Sequence, residues 1–273
     1  MLRRHVPDDT YRFPPARDFT GRNLYRASLL RLENLEQAHA DALRAGHLDD
    51  VIAFAKGRAL ERLRAFDLAA ASYRRAARGE GPLGRPALRS AALCDAFAES
   101  VSMASTGAQE GALADPQAIL DAHARRIELL EALRDDAEAS HYAAILAEEI
   151  EAADLDRAHR FLALRRVLPE GDVRALGELQ RVVVTHRESK NASRHLLELA
   201  DLYAALANEY VEANPPEGLR FDPPGFQDLV DSASRLYEVV ANQDGTTEKL
   251  EAERRLEAFL AFTLRVDRDR FSR

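Results

Sequence analysis

The chain reads as an all-α protein of antiparallel helix hairpins, and three observations predict it. Alanine, leucine, glutamate and arginine, the strongest helix formers, dominate the composition, while β-branched runs are nearly absent apart from Val182-Val183-Val184. Apolar residues recur at helical spacing, as in Leu196, Leu199, Tyr203, Leu206 and Tyr210, or Leu256, Phe259, Leu260 and Leu264. Breakers divide the chain into pieces of hairpin size, predicting about eleven helices.

Taken in order, residues 1–21 are rich in proline and charge and are expected to lie extended. Helices follow, separated at Gly46, at Arg64 to Phe66, at Gly79 to Gly84, at Thr106 to Pro116 and at Ala153-Asp154. Further breaks fall at Pro169 to Asp172, Ser189 to Asn191, Pro215 to Gly225 and Asp244-Gly245. Asp115 is placed to cap the helix opened by Pro116, and Gly46 and Gly171 are placed to take the left-handed geometry that closes a helix. The organisation expected is a helical domain over 22–213, a Pro-rich loop over 214–225 with Phe221 pinning it to the body, and a C-terminal hairpin over 226–273 packed on the same domain.

A chain of 273 residues with 46% hydrophobic content can bury a core without staples. Its one cysteine, Cys94, sits in the apolar run Ala91-Ala92-Leu93-Cys94 and reads as a buried, inert thiol. A net charge of −8 repels a phosphate backbone, so nucleic acid is not an expected partner. No run of about 18 uninterrupted apolar residues exists to span a membrane. The basic start Arg3-Arg4 has no apolar run behind it, so the cytoplasm is the default compartment. Tyr11 to Asp18 reads like the leader of an exported domain, which keeps the periplasm or cell envelope open if the start site is truncated.

Residues 50–83 carry small and aromatic residues at places where two helices must cross closely. Gly57 and Leu60 lie on a first helix, Phe66 follows the turn, and Ala69, Tyr73 and Ala76 lie on a second. This pattern resembles a tetratricopeptide repeat, with Ala53 where the family has tryptophan and the closing proline arriving late at Pro82. A weaker match runs from Ser140 to Gly171, through Tyr142, Leu146, Leu155, Ala158 and Leu162, with Arg165 where the family prefers alanine. The resemblance implies a TPR-like right-handed α-solenoid whose first helices line a concave surface for a peptide or partner helix. Carried over from the matched repeat alone, Phe54, Arg58, Glu61 and Arg62 face that groove; the competing reading is a solvated helix face.

Other motifs carry less. Gly79-Glu80-Gly81-Pro82-Leu83-Gly84 spells a dinucleotide fingerprint, but a helix rather than a strand precedes it. Glu36 with His39, Glu138 with His141, and Asp156 with His159 are i, i+3 pairs of the kind that build di-iron or di-manganese sites in helical bundles. In a chain this rich in glutamate such pairs arise by chance. No serine or cysteine stands at a nucleophile elbow. His186, Arg187, Lys190, Arg194 and His195 form a basic cluster at a helix junction, suited either to a partner's acidic segment or to a solvated turn.

The function expected is a non-enzymatic protein-protein interaction scaffold without cofactor or metal, monomeric or weakly dimeric. Two alternatives stay open, a di-metal carboxylate bundle and a regulatory domain taking a small molecule in the groove.

Overall fold

The computed structural model describes residues 22–79, 81–109, 115–137 and 141–271. The expected extended segment over 1–21, residues 110–114 of the loop and Glu138 lie outside them. Ten helices are present among the described residues, and no strand. They are α1 (Arg22–Ala45), α2 (Asp49–Arg62), α3 (Phe66–Ala76), α4 (Gly84–Gln109) and α5 (Pro116–Ala137). After these come α6 (Tyr142–Leu164), α7 (Gly171–Thr185), α8 (Ala192–Ala213), α9 (Pro223–Ala241) and α10 (Glu248–Phe271). Consecutive helices pack on one another from α1 to α5 and again from α7 to α10.

Three helix ends follow the expected local chemistry. Asp115 Oδ1 accepts from the Gln117 amide at 3.0 Å, the expected cap behind Pro116. Asp222 precedes the prolines that open α9, and Gly245 turns the chain at φ 83° before α10. The two glycines expected to close helices do something else. At the end of α1 the left-handed residue is His47 (φ 51°), whose amide bonds Arg44 O at 3.1 Å while Leu48 N bonds Leu43 O at 2.9 Å. Gly46 sits one place earlier, still bonded to Ala42 O. At α7 it is Glu170 that is left-handed (φ 52°), while a Cβ on Gly171 would lie 1.8 Å from the Arg165 carbonyl oxygen. Gly171 is therefore needed for close backbone approach rather than for positive φ.

A second correction concerns Ala153-Asp154, expected as a turn. α6 runs through it without interruption, so Ser140 to Gly171 is not a helix pair. Neither residue breaks a helix, Ala153 is fully buried, and the Asp154 carboxylate is engaged by Arg181 and His186 rather than capping local amides.

The chain divides into two compact units, Met1–Ala153 and Asp154–Arg273, the division falling within α6. In the first unit the core joins α2 to α6 through Ala53, Tyr73, Phe97, Leu130 and Leu146, all nearly or wholly buried. Phe66 and Phe97 rings meet at 5.0 Å, and Phe97 meets Tyr142 at 6.2 Å. Gly57 lets α2 and α3 cross closely, since a Cβ there would stand 2.7 Å from the Tyr73 ring. Ala69 and Ala76, on the same side of α3 as Tyr73, are likewise fully buried.

The second core gathers Ala200, Phe226, Ala233, Tyr237, Val240 and Phe259 from α8, α9 and α10. Phe221 does pin the Pro-rich loop: its ring lies 5.7 Å from Tyr210 and 5.5 Å from Phe226, and the Asp222 amide donates to the Tyr210 hydroxyl at 2.6 Å. Each large side chain buried this way contributes about 1.5–3 kcal/mol. On α10 the expected stripe is half right. Leu256 and Phe259 turn inward with Ala252 and Val266, but Leu260 and Leu264 are exposed, because a helix turning about 100° per residue places them away from Phe259.

Candidate functional site

α2 is the most enclosed helix of the first unit, with no exposed residue along its length. In its last turn Glu61 is 1% exposed. Glu61 Oε2 accepts hydrogen bonds from the hydroxyls of Tyr73 at 2.6 Å and Tyr142 at 3.1 Å. Glu61 Oε1 takes Arg58 at 3.0 Å, one turn back on α2, and lies 3.2 Å from His141 Nε2. The Arg58 guanidinium is also ringed by Phe54, Tyr142 and Tyr73, with centroids at 5.1, 5.5 and 6.0 Å.

Each charge state follows from this enclosure. Burial pushes the Glu61 carboxyl up, against the pull of Arg58 and the two phenols. Burial also raises both phenols, reinforced by Glu61, so Tyr73 and Tyr142 stay protonated donors. His141 is driven down to about 3 by burial and by its neighbours Arg58 and Arg62, so near neutral pH it is an uncharged ring. For Arg58, burial works against the charged form, and Glu61 together with Tyr73 and Tyr142 more than offsets it, leaving the guanidinium raised. Cys94, fully buried, is pushed up by burial and then by Glu61, which matches an inert thiol. The chemistry of the cluster is therefore a fixed guanidinium held over a buried acid.

Of the four residues expected to line a groove, Phe54, Arg58 and Arg62 are half-buried and Glu61 is buried beneath them. The competing reading, a solvated face, fails for Glu61. Arg62 lies over the Tyr25 ring at 5.6 Å and 3.7 Å from Glu148. Arg64, left-handed at φ 60°, reaches Glu149 at 2.7 Å. Local sequence signals Arg58 with Glu61, three apart on one helix. It gives no sign of Tyr142 or His141, about eighty positions on.

The remaining motifs are spent on structure. Glu36 takes Lys56 at 3.1 Å and Arg75, and a kink at His39 (φ −133°, ψ 29°) removes the regular i, i+3 face the pair needs. His159 bonds Glu198 at 2.8 Å. Among the described residues no group of three or more His, Cys, Asp or Glu side chains is placed to hold a metal ion. Gly79 and Gly81 press on Asp50, a Cβ on Gly81 falling 2.5 Å from Asp50 Oδ2, so an acid fills the space a phosphate would need. These glycines border a cleft of about 460 Å³ with Arg44, His47, Asp49 and Asp50.

The basic cluster is drawn onto acids and into the core: His186 turns to Asp154 at 2.8 Å, Arg194 to Glu198 at 3.1 Å, and His195 is buried with its ring 6.4 Å from that of His186. Asp154 is the acid that sequence reasoning missed. Burial would raise it, but His186 and Arg181, the latter at 2.7 Å, hold it below the usual carboxylate range. No described helix is long and apolar enough to cross a membrane. No protein-family model matches the chain, and comparison with curated proteins finds no match.

Proposed function

We propose that this protein is a non-enzymatic scaffold that holds a partner peptide or helix, and that its first unit is a TPR-like helical repeat. The observation that carries the reading is Arg58, fixed between a buried carboxylate and three aromatic rings. A side chain held this way loses little freedom when a partner arrives, which is what makes a buried arginine or aromatic residue an effective anchor. The close crossing of α2 and α3 at Gly57 and Tyr73 supports the repeat, and the half-buried Phe54 supplies an apolar contact beside Arg58.

The test is affinity capture with the whole protein, followed by titration of each captured partner as a purified component. Phe54→Ala and Arg58→Lys should each weaken binding at least about tenfold while circular dichroism stays unchanged, because each removes an anchor and keeps the charge. Binding that is indifferent to both would move the site elsewhere, and the absence of any saturable partner would end the scaffold reading. The small-molecule alternative has one observation in its favour, the cleft bordered by Asp49, Asp50, Gly79 and Gly81. A thermal shift with a metabolite, lost on Asp50→Asn, would favour it.

A further inference from the structure

We infer that the outward face of α10 is a self-complementary interface for a second copy of this chain, packed antiparallel about a two-fold axis at Ala261. The buried side of α10 is Ala252, Phe259 and Val266; rotation of about 100° per residue puts Glu257, Ala261, Leu264 and Arg268 on the side facing away. All four are exposed, and Leu264 and its neighbour Leu260 are 70% and 43% exposed, a strip of apolar surface that water covers at a cost.

The charges on either side of that strip identify the occupant. Among mixed charges, Glu257 lies just before it and Arg265 just after it. Glu257 stands four residues before Ala261 and Arg265 four residues after, so a two-fold axis at Ala261 sets each Glu257 opposite the Arg265 of the other copy. Neither makes an ion pair among the described residues, whereas Arg254 and Arg268, which this register also sets opposite each other, are each already held by a local acid, Glu251 at 2.7 Å and Asp269 at 3.1 Å. Ala261, small, sits where the two helix axes come closest, and the Leu260 and Leu264 side chains of both copies fill the space around it. A parallel arrangement would set Glu257 against Glu257 and is disfavoured. A strip one helix wide buries less than about 1,200 Å², the size of a transient interface, so the dimer is concentration-dependent. None of this rests on the scaffold reading.

Sedimentation velocity of the full chain over a concentration series is the test. The mass should rise from 30.4 kDa toward twice that value. Glu257→Arg and Arg265→Glu should each stay monomeric, and an equimolar mixture of the two should regain the dimer, because both crossing pairs then join opposite charges. Leu264→Gln, a change at an exposed position, should weaken association without altering charge. A wild-type chain that stays monomeric at its highest soluble concentration overturns the inference. So does a dimer indifferent to the reversals, or a mixture that remains monomeric.

Discussion

Two buried carboxylates, one in each unit, receive opposite treatment. Glu61 and Asp154 are equally hidden, at 1% and 2% exposed, yet the first is raised and the second lowered. Asp154 shares its two oxygens between Arg181 and His186, and the Arg181 side chain remains about a third exposed to water. Among the described residues Glu61 is paired with one cation, the largely desolvated Arg58, and otherwise meets phenols and an uncharged histidine. Burial alone does not set the charge state; the solvation and number of cationic donors decide whether it is overcome.

The largest expected effect breaks the first of these sites. Arg58→Ala removes the cation paired with Glu61 and leaves an uncompensated buried acid, a loss of about 3–5 kcal/mol measurable by urea unfolding. Next comes the sign of the pH response. Asp154, lowered in the fold, contributes stability that is present above the unfolded carboxyl value of about 3.9 and is lost as pH falls through the folded value. Glu61, raised, contributes stability that is complete below about 4.3 and declines as pH rises toward the folded value. Unfolding free energies across pH should show Asp154→Asn flattening the acid limb, at a cost near neutral pH of about 1.5–3 kcal/mol. Glu61→Gln should flatten the decline above the acid range, and the same slope in both variants would refute the contrast.

The smallest effect compares two helical glycines. Gly57→Ala drives a methyl into the Tyr73 ring and should cost about 1–3 kcal/mol. Gly177→Ala, on α7 with nothing within 4 Å of the new Cβ, should stabilise by about 0.5–1 kcal/mol, and calorimetric melting points should move in opposite directions.

Parts of this were legible beforehand. The helices, the Asp115 cap, the turn at Gly245, the buried Cys94 and the Gly57 crossing all follow from neighbours in sequence, because each depends on helix periodicity or local hydrogen bonding. The left-handed positions fall beside the expected glycines, at His47 just past α1 and at Glu170 just before α7. Ala153-Asp154 looked like a turn because aspartate favours caps, and the fold overrode that preference by giving the carboxylate Arg181 and His186 from the next helix. Glu36, His39 and His159 carried a metal-like spacing that tertiary pairing and a kink redirected.

The sequence by itself determined that this chain is helical, where most of its helices begin and end, and that α2 and α3 meet closely, since these are consequences of propensity, capping and period. Tertiary structure alone decided that Glu61 is buried, that Tyr142 and His141 complete its shell, and which face of α10 carries its leucines into water. Those outcomes depend on which distant helix arrives opposite, and no local pattern encodes the arrival.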